Sequence, residues 1–395
     1  MKKKKRLLFL LSTLVLMLAA GAAFAQEADE ITTFCKVNSK KTEGLHRTVD
    51  GNYQSVWTSA SNRDAYIILT APEDQKIASV YLQFSNESTP FEVQVKNEQD
   101  KWVTAALCET NFLTNAVQLE TPAQSVRIIP LNRSGRLMLA EIHAFAPGDL
   151  PSWVHHWEAP LTKSDLLVLA AHPDDELLFM GGTIPYYAGE LQLDVQVAYL
   201  SAYAPYRKLE LLDGLWTCGV THYPLFGGMP DVYNTSLNKM YSEKGWNEDR
   251  VLRFVVGLYR SCRPEVVVTH DVHGEYGHGA HKVAADAAQR AIELASSPDY
   301  QHKKLAATEP WQVKKLYLHL YEDNAMQMNW RLPLKNFGGK TALDIAAEAF
   351  TCHKSQDTGH YHVEDFGPND NSKFGLAFTT VGEDVEKNDF MENIQ

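Results

Sequence analysis

An unbroken apolar run, Leu166 to Ala171, limits the fold of this chain more than any other feature. Its length and branching are typical of a strand buried on both faces of a sheet, and it stops at the polar block His172-Pro-Asp-Asp-Glu176. The block therefore follows the carboxyl end of a strand, where open α/β sheets bind their ligands. One imidazole and three carboxylates this close repel one another unless a cation or protons compensate, and a metal ion is the natural compensator.

The same block can also be explained as a plain helix start. Pro173 would occupy an early helical position, and the acidic residues Asp174–Glu176 would complement the helix dipole. A second cluster shifts the balance towards a metal. Another apolar strand, Glu265–Thr269, runs into a stretch rich in imidazoles and carboxylates, His270–His281. Two clusters of the same kind at two strand ends predict one shared site.

Strand and helix patterns alternate from Asp165 onward, which predicts a mainly parallel, Rossmann-like sheet between helix layers. The predicted strands are Leu166–Ala171, Val195–Leu200, Tyr223–Phe226, Val266–Thr269 and Lys315–Leu320. The predicted helices are Glu176–Tyr187, Arg207–Trp216, Asp249–Ser261 and Ala280–Ala295. No Gly-x-Gly-x-x-Gly opens a helix after the first strand, which argues against a dinucleotide site, and no Gly-x-Ser-x-Gly elbow supports a serine nucleophile.

The N-terminal residues have the pattern of an export signal. A basic start is followed by a Leu- and Ala-rich stretch and by Ala23-Phe-Ala25, which predicts a signal peptide over residues 1–25, cleavage after Ala25 and a secreted or periplasmic protein. An uncleaved membrane anchor is the alternative, and after cleavage no transmembrane span is expected. Removing five basic and no acidic residues moves the formal net charge from −12 to −17, which argues against a nucleic-acid partner.

The length that remains is more than one ordinary core needs, so two domains are expected, residues 26–150 and 151–395. Pro147–Ser152 is dense in turn formers and predicts the boundary, with Trp153 and Trp157 packing the domains together. The five cysteines lack C-x-x-C spacing, which argues against a cysteine zinc site. Export permits disulfides, but the odd count leaves at least one thiol free.

Residues 26–150 show short alternating runs separated by turns, which predict an all-β sandwich or jelly roll. The predicted strands are Tyr66–Leu69, Ile77–Phe84, Phe91–Val95, Trp102–Thr104, Val126–Ile129 and Leu139–Phe145. The stretch Asp50–Trp57 and the closing runs resemble discoidin-type, galactose-binding-like sandwiches that serve as carbohydrate-binding modules. That resemblance implies either glycan binding or a brace for the second domain, and it places Trp57 in the core more readily than on a sugar platform.

In the second domain, the block Ala171-His-Pro-Asp-Asp-Glu176 and the later Gly277-His-x-x-His281 resemble the PIG-L (LmbE-like) zinc-dependent N-deacetylases. These enzymes remove acetyl groups from N-acetylglucosamine-type substrates. Two later segments, Ala349–Gln356 and Phe374–Phe390, are similar to the closing segments of that family, so the resemblance spans roughly residues 160 to 395.

The resemblance implies one zinc ion per chain, or another divalent metal, held by His172, Asp175 and His281. It implies Asp174 as the general base that takes a proton from zinc-bound water and returns it to the leaving amine. His278 would stabilise the oxyanion as an imidazolium held by a carboxylate, and Tyr276 would contact the same oxyanion.

Several polar residues around these motifs have more than one possible role. Glu176 would support the site from behind or complement the helix dipole, and His270 and His273 would be cap or surface residues. Arg207 would bind sugar hydroxyls or simply pair with Glu210 one turn on, and Asp231 would accept a hydroxyl.

The sequence thus predicts an exported zinc deacetylase acting on an N-acetylglucosamine-type sugar or glycan. A metal amidase acting on another N-acyl substrate is the nearest alternative. A glycan-binding surface protein with an inactive hydrolase domain is the other, but the full set of site residues argues against it.

Overall fold

The computed structural model describes residues 26–86, 90–132, 134–301, 308–356 and 359–394. The predicted signal peptide, residues 1–25, lies outside the described residues. Among the residues that are described, no helix combines the length and the apolar character needed to cross a bilayer.

Between Lys36 and Phe145 the described chain forms antiparallel strands and short 3-10 turns. The strands are β1 Lys36–Asn38, β2 Trp57–Thr58, β3 Ile67–Thr70, β4 Ile77–Phe84, β5 Phe91–Lys96, β6 Trp102–Cys108, β7 Thr114–Ala123, β8 Ser125–Pro130 and β9 Met138–Phe145. They pair in the orders β1-β3-β8-β5-β6 and β2-β9-β4-β7. Side chains of both sheets share one apolar core, which is the arrangement expected of the predicted sandwich, and Trp57 is buried in that core.

From Ser164 onward the strands join a third, mainly parallel sheet, and helices separate most of the parallel strands. The strands are β10 Ser164–Ala170, β11 Val195–Tyr199, β12 Leu225–Phe226, β13 Pro264–Thr269, β14 Lys315–His319, β15 Ala325–Gln327 and β16 Lys373–Thr379. The helices are α1 Asp175–Leu178, α2 Pro205–Thr217, α3 Leu237–Ser242, α4 Glu248–Cys262, α5 Gly279–Ser296 and α6 Ala342–Phe350. The predicted alternation is confirmed, with small shifts at the ends.

The strand order is β12-β11-β10-β13-β14-β16-β15. The first five strands of this order run parallel, and β15 and β16 complete the sheet in antiparallel fashion. The order reverses between β10 and β13, so a crevice opens at the carboxyl ends of these two strands.

Helices cover both faces of this sheet, as the alternation of β10 side chains requires. Leu166 and Val168 face a core shared with α2 and α6, whereas Leu167 and Leu169 face a core shared with α4 and α5. The unbroken apolar run is therefore explained by burial on both sides.

The predicted helix Glu176–Tyr187 was wrong in its length. Helix α1 ends after one turn, and a π-helix over Pro185–Glu190 follows it. The break falls at Gly181, whose φ of 53° favours glycine and where a Cβ atom would lie 2.5 Å from Asn371 Oδ1. The positive φ and the close approach of Asn371 are incompatible with a helix that continues through this position.

The sandwich packs directly against the second domain through the outer face of β4. Tyr81 on that face is buried against Trp153 and His155. The Tyr53 hydroxyl donates to Asp213 Oδ2 on α2 at 2.8 Å. Trp157 Nε1 donates to Thr114 Oγ1 at 2.8 Å. The predicted role of the two tryptophans at the boundary is therefore confirmed.

Burial raises the pKa of Asp213 to about 7, and the Tyr53 hydrogen bond opposes this rise. All five cysteines belong to the described ranges, and all are free thiols.

The central strand provides a test of where the stability of the sheet resides. Leu167 is fully buried on β10, so Leu167→Ala should lower the free energy of unfolding by about 2–5 kcal/mol. Leu107→Ala is the matched control, because Leu107 is 59% exposed on β6 and should change the free energy by less than about 0.5 kcal/mol. Urea unfolding followed by tryptophan fluorescence measures both, and equal losses would contradict the assignment of this core.

Candidate active site

The two predicted clusters lie side by side because β10 and β13 are parallel neighbours in register. Leu169 pairs with Thr269, so the loops that begin at Ala171 and His270 leave the sheet together. Thr269 Oγ1 donates to the Leu169 carbonyl at 2.7 Å, and the Ala171 amide donates to His270 Nε2 at 2.9 Å. These bonds join the two strand ends directly beneath the site.

The predicted metal ligands converge at this point. Asp175 Oδ2 lies 3.1 Å from His172 Nδ1 and 3.4 Å from His281 Nε2. Burial alone would raise the pKa of Asp175, but the imidazoles of His281 and His172 outweigh it and hold the pKa well below its usual range. Asp175 is therefore ionised and faces both rings.

The donor atoms fit a metal ion. His172 Nε2 and His281 Nε2 are buried and have no hydrogen-bond partner among the described residues. Buried polar atoms are normally satisfied, so two imidazole nitrogens without hydrogen-bond partners beside a carboxylate point to a positive charge between them, either a proton or a metal ion. Two imidazoles and one carboxylate are a ligand set that transition metals accept.

Two overlapping triplets of residues place donor atoms within 4.8 Å of one another, His172 with His278 and His281, and Asp175 with His270 and His281, so the predicted ligands His172, Asp175 and His281 are divided between the two. His270 is not available as a ligand, because its Nε2 accepts the Ala171 amide and its Nδ1 donates to Glu275. The expectation that His270 is a cap or surface residue was also wrong, since the side chain is fully buried.

Glu275 is the buried anion that holds the imidazoles in place. Its Oε2 accepts from His270 Nδ1 at 2.8 Å and from His281 Nδ1 at 2.7 Å, and its Oε1 accepts from His319 Nδ1 at 2.6 Å. The backbone amide of Asp271 adds a further donor at 3.1 Å. A carboxylate on the far nitrogen orients a ligating histidine, directs its other nitrogen to the metal and raises its basicity.

The predicted base, Asp174, lies at the turn between β10 and α1 in a strained conformation. Its φ of 99° and ψ of −30° are unusual for a residue with a side chain. Glu176 Oε2 accepts its amide at 3.0 Å and so supports this turn, and Glu176 also lies in the first turn of α1, as both interpretations of this residue require. Burial, together with the Asp175 carboxylate, raises the pKa of Asp174 to about 8.

His278 forms the N-cap of α5, because its Nδ1 accepts the amide of Ala280 at 3.1 Å. The expectation of an imidazolium held by a carboxylate was wrong, since that nitrogen accepts rather than donates. Burial and the neighbouring His172 lower the pKa of His278 to about 3. The ring is therefore neutral, and its Nε2 carries the proton.

Tyr276 lies in a short 3-10 turn with a φ of 45°, a left-handed conformation that is uncommon outside glycine. Its ring packs edge-on against His278 and His281, with centroid distances of 5.6 and 5.3 Å. Burial and the Asp175 carboxylate raise the pKa of Tyr276, so the hydroxyl stays protonated.

Arg207 is held by the site and not by Glu210. Its Nη2 donates to the Pro173 carbonyl at 2.7 Å and approaches Asp174 Oδ2 at 3.3 Å, and its Nη1 donates to Asp231 Oδ2 at 3.1 Å. The alternative pairing was wrong because the Glu210 carboxylate accepts instead from the amide and hydroxyl of Ser355. Asp231 is half exposed at the edge of the site.

A cavity of about 250 Å³ opens over these groups. It is lined by His172, Asp174, Asp175, Leu178, Arg207, Asp231, Tyr233, Tyr276, His278, Gln356 and Tyr361. Apart from His281, which is fully buried beneath Asp175, each residue that the sequence assigned to the site lines this cavity.

Comparison with known proteins supports the class of this site. The PIG-L family model, described as GlcNAc-PI de-N-acetylase, matches residues 167–292. A 1D-myo-inositol 2-acetamido-2-deoxy-alpha-D-glucopyranoside deacetylase of Streptomyces avermitilis is 31% identical over 212 residues, which are 45% of this chain and 70% of that protein. The chain belongs to the PIG-L family and is an amide hydrolase of the deacetylase type.

Further similar proteins carry the same deacetylase name. One from Frankia alni is 30% identical and covers 42% of this chain and 66% of its own length. One from Rhodococcus jostii is 29% identical and covers 50% of this chain and 83% of its own length. Among solved structures, a conserved protein from Thermus thermophilus is 23% identical, with a TM-score of 0.37, and covers 50% of this chain and 81% of its own.

Glu275→Gln tests the buried anion. The amide keeps the size of the side chain but loses the charge that the imidazole donors require, so metal affinity should fall about 10–100-fold. Competition with a chromophoric chelator measures the affinity. Glu293→Gln, an exposed change on α5, should leave it unaltered, and the assignment fails if both variants bind the metal as tightly as the parent.

Metal binding should release a proton from His281. Burial would lower the pKa of this imidazole, but Asp175 and Glu275 outweigh it and raise the pKa to about 10 in the metal-free protein. At pH 7 the ring is protonated, and an incoming cation must displace that proton. Apparent affinity should therefore rise with pH, by up to about tenfold per unit, and level off near pH 10.

Calorimetric titration of the metal in buffers of different ionisation enthalpy measures this proton release. Heats that are independent of the buffer would contradict it.

Proposed function

We propose that this protein is an exported zinc deacetylase that hydrolyses the N-acetyl amide of an N-acetylglucosamine-type sugar or glycan. The single observation that carries the proposal is the pair of orphaned imidazole nitrogens of His172 and His281 beside the ionised Asp175, next to a second buried carboxylate at Asp174. A ligand set of this kind together with an adjacent base is what metal-assisted amide hydrolysis needs.

His172, Asp175 and His281 would hold the metal. When bound, zinc polarises the amide carbonyl and makes water acidic enough to act as a nucleophile near neutral pH. Zinc is favoured over magnesium and calcium because the latter prefer all-oxygen sites.

Asp174 moves the proton. Its carboxylate takes the proton from the attacking water and returns it to the nitrogen of the leaving amine. Arg207 and the strained turn fix the carboxylate at the cavity wall, so little reorganisation accompanies the transfer. The pKa of Asp174, about 8 in the metal-free protein, lies within about one unit of neutrality, and a bound cation would lower it and favour the carboxylate that accepts the proton.

His278 and Tyr276 stabilise the oxygen that becomes negative. The neutral His278 ring donates from Nε2 into the cavity, since its Nδ1 accepts from Ala280. The Tyr276 hydroxyl remains a donor because its pKa is raised. Donors already aimed at a developing oxyanion typically contribute about 10²–10³ in rate each.

The substrate assignment is supported by the named relatives, which are deacetylases of a 2-acetamido-2-deoxy-glucopyranoside. Arg207 and Asp231 at the rim would bind sugar hydroxyls, Asp231 through the carboxylate face that solvent reaches. We further propose that residues 1–25 direct export. For the sandwich, we propose that it is of the galactose-binding-like type and that it binds glycan or braces the enzyme.

Asp174→Asn should keep metal binding and lower the rate of acetate release by about 10²–10⁴-fold, because the amide cannot accept the proton from water. The measurement is free acetate from the zinc-loaded protein with N-acetylglucosamine glycosides, and metal content is checked in parallel. Asp299→Asn is the matched control, because Asp299 is exposed and does not line the cavity. Hydrolysis at the parental rate by a metal-loaded Asp174→Asn protein would refute the mechanism.

A panel of other N-acyl amines tests the reaction class. Acetate should come from N-acetylated sugars and not from N-acyl peptides or lipid amines. Turnover of the peptides alone would replace the sugar substrate with another amine.

A further inference from the structure

A second cavity adjoins the catalytic one, and the proposed reaction does not use it. Its volume is about 170 Å³, and it shares Leu178, Tyr276 and Tyr361 with the catalytic cavity. Phe366 also lines it and does not line the catalytic cavity. The two cavities therefore form one cleft, divided by the rings of Tyr276 and Tyr361, whose centroids lie 6.4 Å apart.

Large aromatic side chains are unusually exposed along this cleft. Tyr276 is 48% exposed, Tyr361 is 44% exposed and Phe366 is 60% exposed. Rings of this size are normally buried, and a group of exposed rings beside a catalytic site marks a surface that a ligand covers.

Polar groups are interleaved with the rings. His360, His362, Glu364 and Asn369 also line the second cavity. A pyranose ring has an apolar C–H face that stacks on an aromatic ring and a polar edge that needs hydrogen-bond partners. An acyl chain would leave these polar groups without partners, so the lining favours a sugar over a lipid.

The segment that carries the aromatic wall is anchored on both sides of Phe366. Arg331 forms a two-pronged ion pair with Asp365, at 2.6 and 2.5 Å. The Asp370 carbonyl accepts from His319 Nε2 at 3.0 Å. Because His319 also donates to Glu275, the wall and the predicted ligand His281 are linked through the same buried carboxylate.

We propose that the second cavity is a sugar subsite, and that the substrate is therefore an oligosaccharide or longer glycan. The ring next to the N-acetylated sugar stacks on Phe366 and Tyr361, while the acetamido group enters the catalytic cavity. This inference rests on the proposed function and adds to it the size of the substrate.

The test compares acetate release by the zinc-loaded enzyme from three substrates. They are the methyl glycoside of N-acetylglucosamine, a set of disaccharides of N-acetylglucosamine that differ in linkage, and the octyl glycoside. At least one disaccharide should be hydrolysed with a kcat/KM about tenfold above that of the methyl glycoside. Phe366→Ala should lower this disaccharide value about five- to tenfold, mainly through KM, because one stacking contact is lost.

Two further variants sharpen the comparison. Phe366→Trp keeps an aromatic face and should restore the disaccharide value. Phe34→Ala removes a ring that is 66% exposed in the sandwich, outside both cavities, and should change nothing.

The outcomes separate the subsite from the reaction. An equal loss on methyl glycoside and disaccharide in Phe366→Ala, or a disaccharide no better than the methyl glycoside, would overturn the subsite and leave the deacetylase standing. If the kcat/KM of the octyl glycoside exceeds that of the methyl glycoside as much as the disaccharide does, the cavity binds an apolar aglycone and not a sugar. No acetate from any substrate would overturn the proposed function and the subsite with it.

Discussion

The parallel pairing of β10 with β13 is the constraint on which the site depends. Its register, from Leu166 with Val266 to Leu169 with Thr269, brings two loops that are a hundred residues apart in sequence to one point. A slip of one residue would turn every side chain of β10 to the opposite face and displace the polar block that follows it from the end of β13. The burial of the sheet therefore fixes the positions of His172 and His270, and catalysis uses a geometry that packing already enforces.

Charge compensation is the second requirement of the site. Asp175, Glu176 and Glu275 lie buried within one region, and the burial of several carboxylates is costly unless positive groups accompany them. The histidines supply part of the balance: His270, His281 and His319 surround Glu275, and His353 lies 3.7 Å from Glu176. Burial would lower the pKa of His353, but Glu176 outweighs it and raises the pKa. A divalent cation would compensate what remains at Asp175.

Periodicity along the chain predicted the alternation of strands and helices, and two polar blocks at strand ends predicted which residues would meet. Residues whose roles depend on distant contacts were missed. Nothing in the local sequence distinguishes Glu275. His319, however, ends β14, the parallel neighbour of β13, and a histidine at the end of a third parallel strand indicates a place at the same site. Phe366 gave no such signal, because the loop that carries it is positioned by Arg331 and His319. Strand β7 was missed since its alternation is diluted by polar and proline residues.

The packing of β4 has a consequence for how the two halves of the protein relate. Every residue of this strand is buried, because one face fills the sandwich core and the other meets the linker and α2. A cut at the turn-rich boundary would expose Tyr81, strip Asp213 of its tyrosine partner and open an apolar core that both halves share. The sandwich is thus not a detachable module on a tether. The two halves of this chain should therefore melt in a single cooperative step.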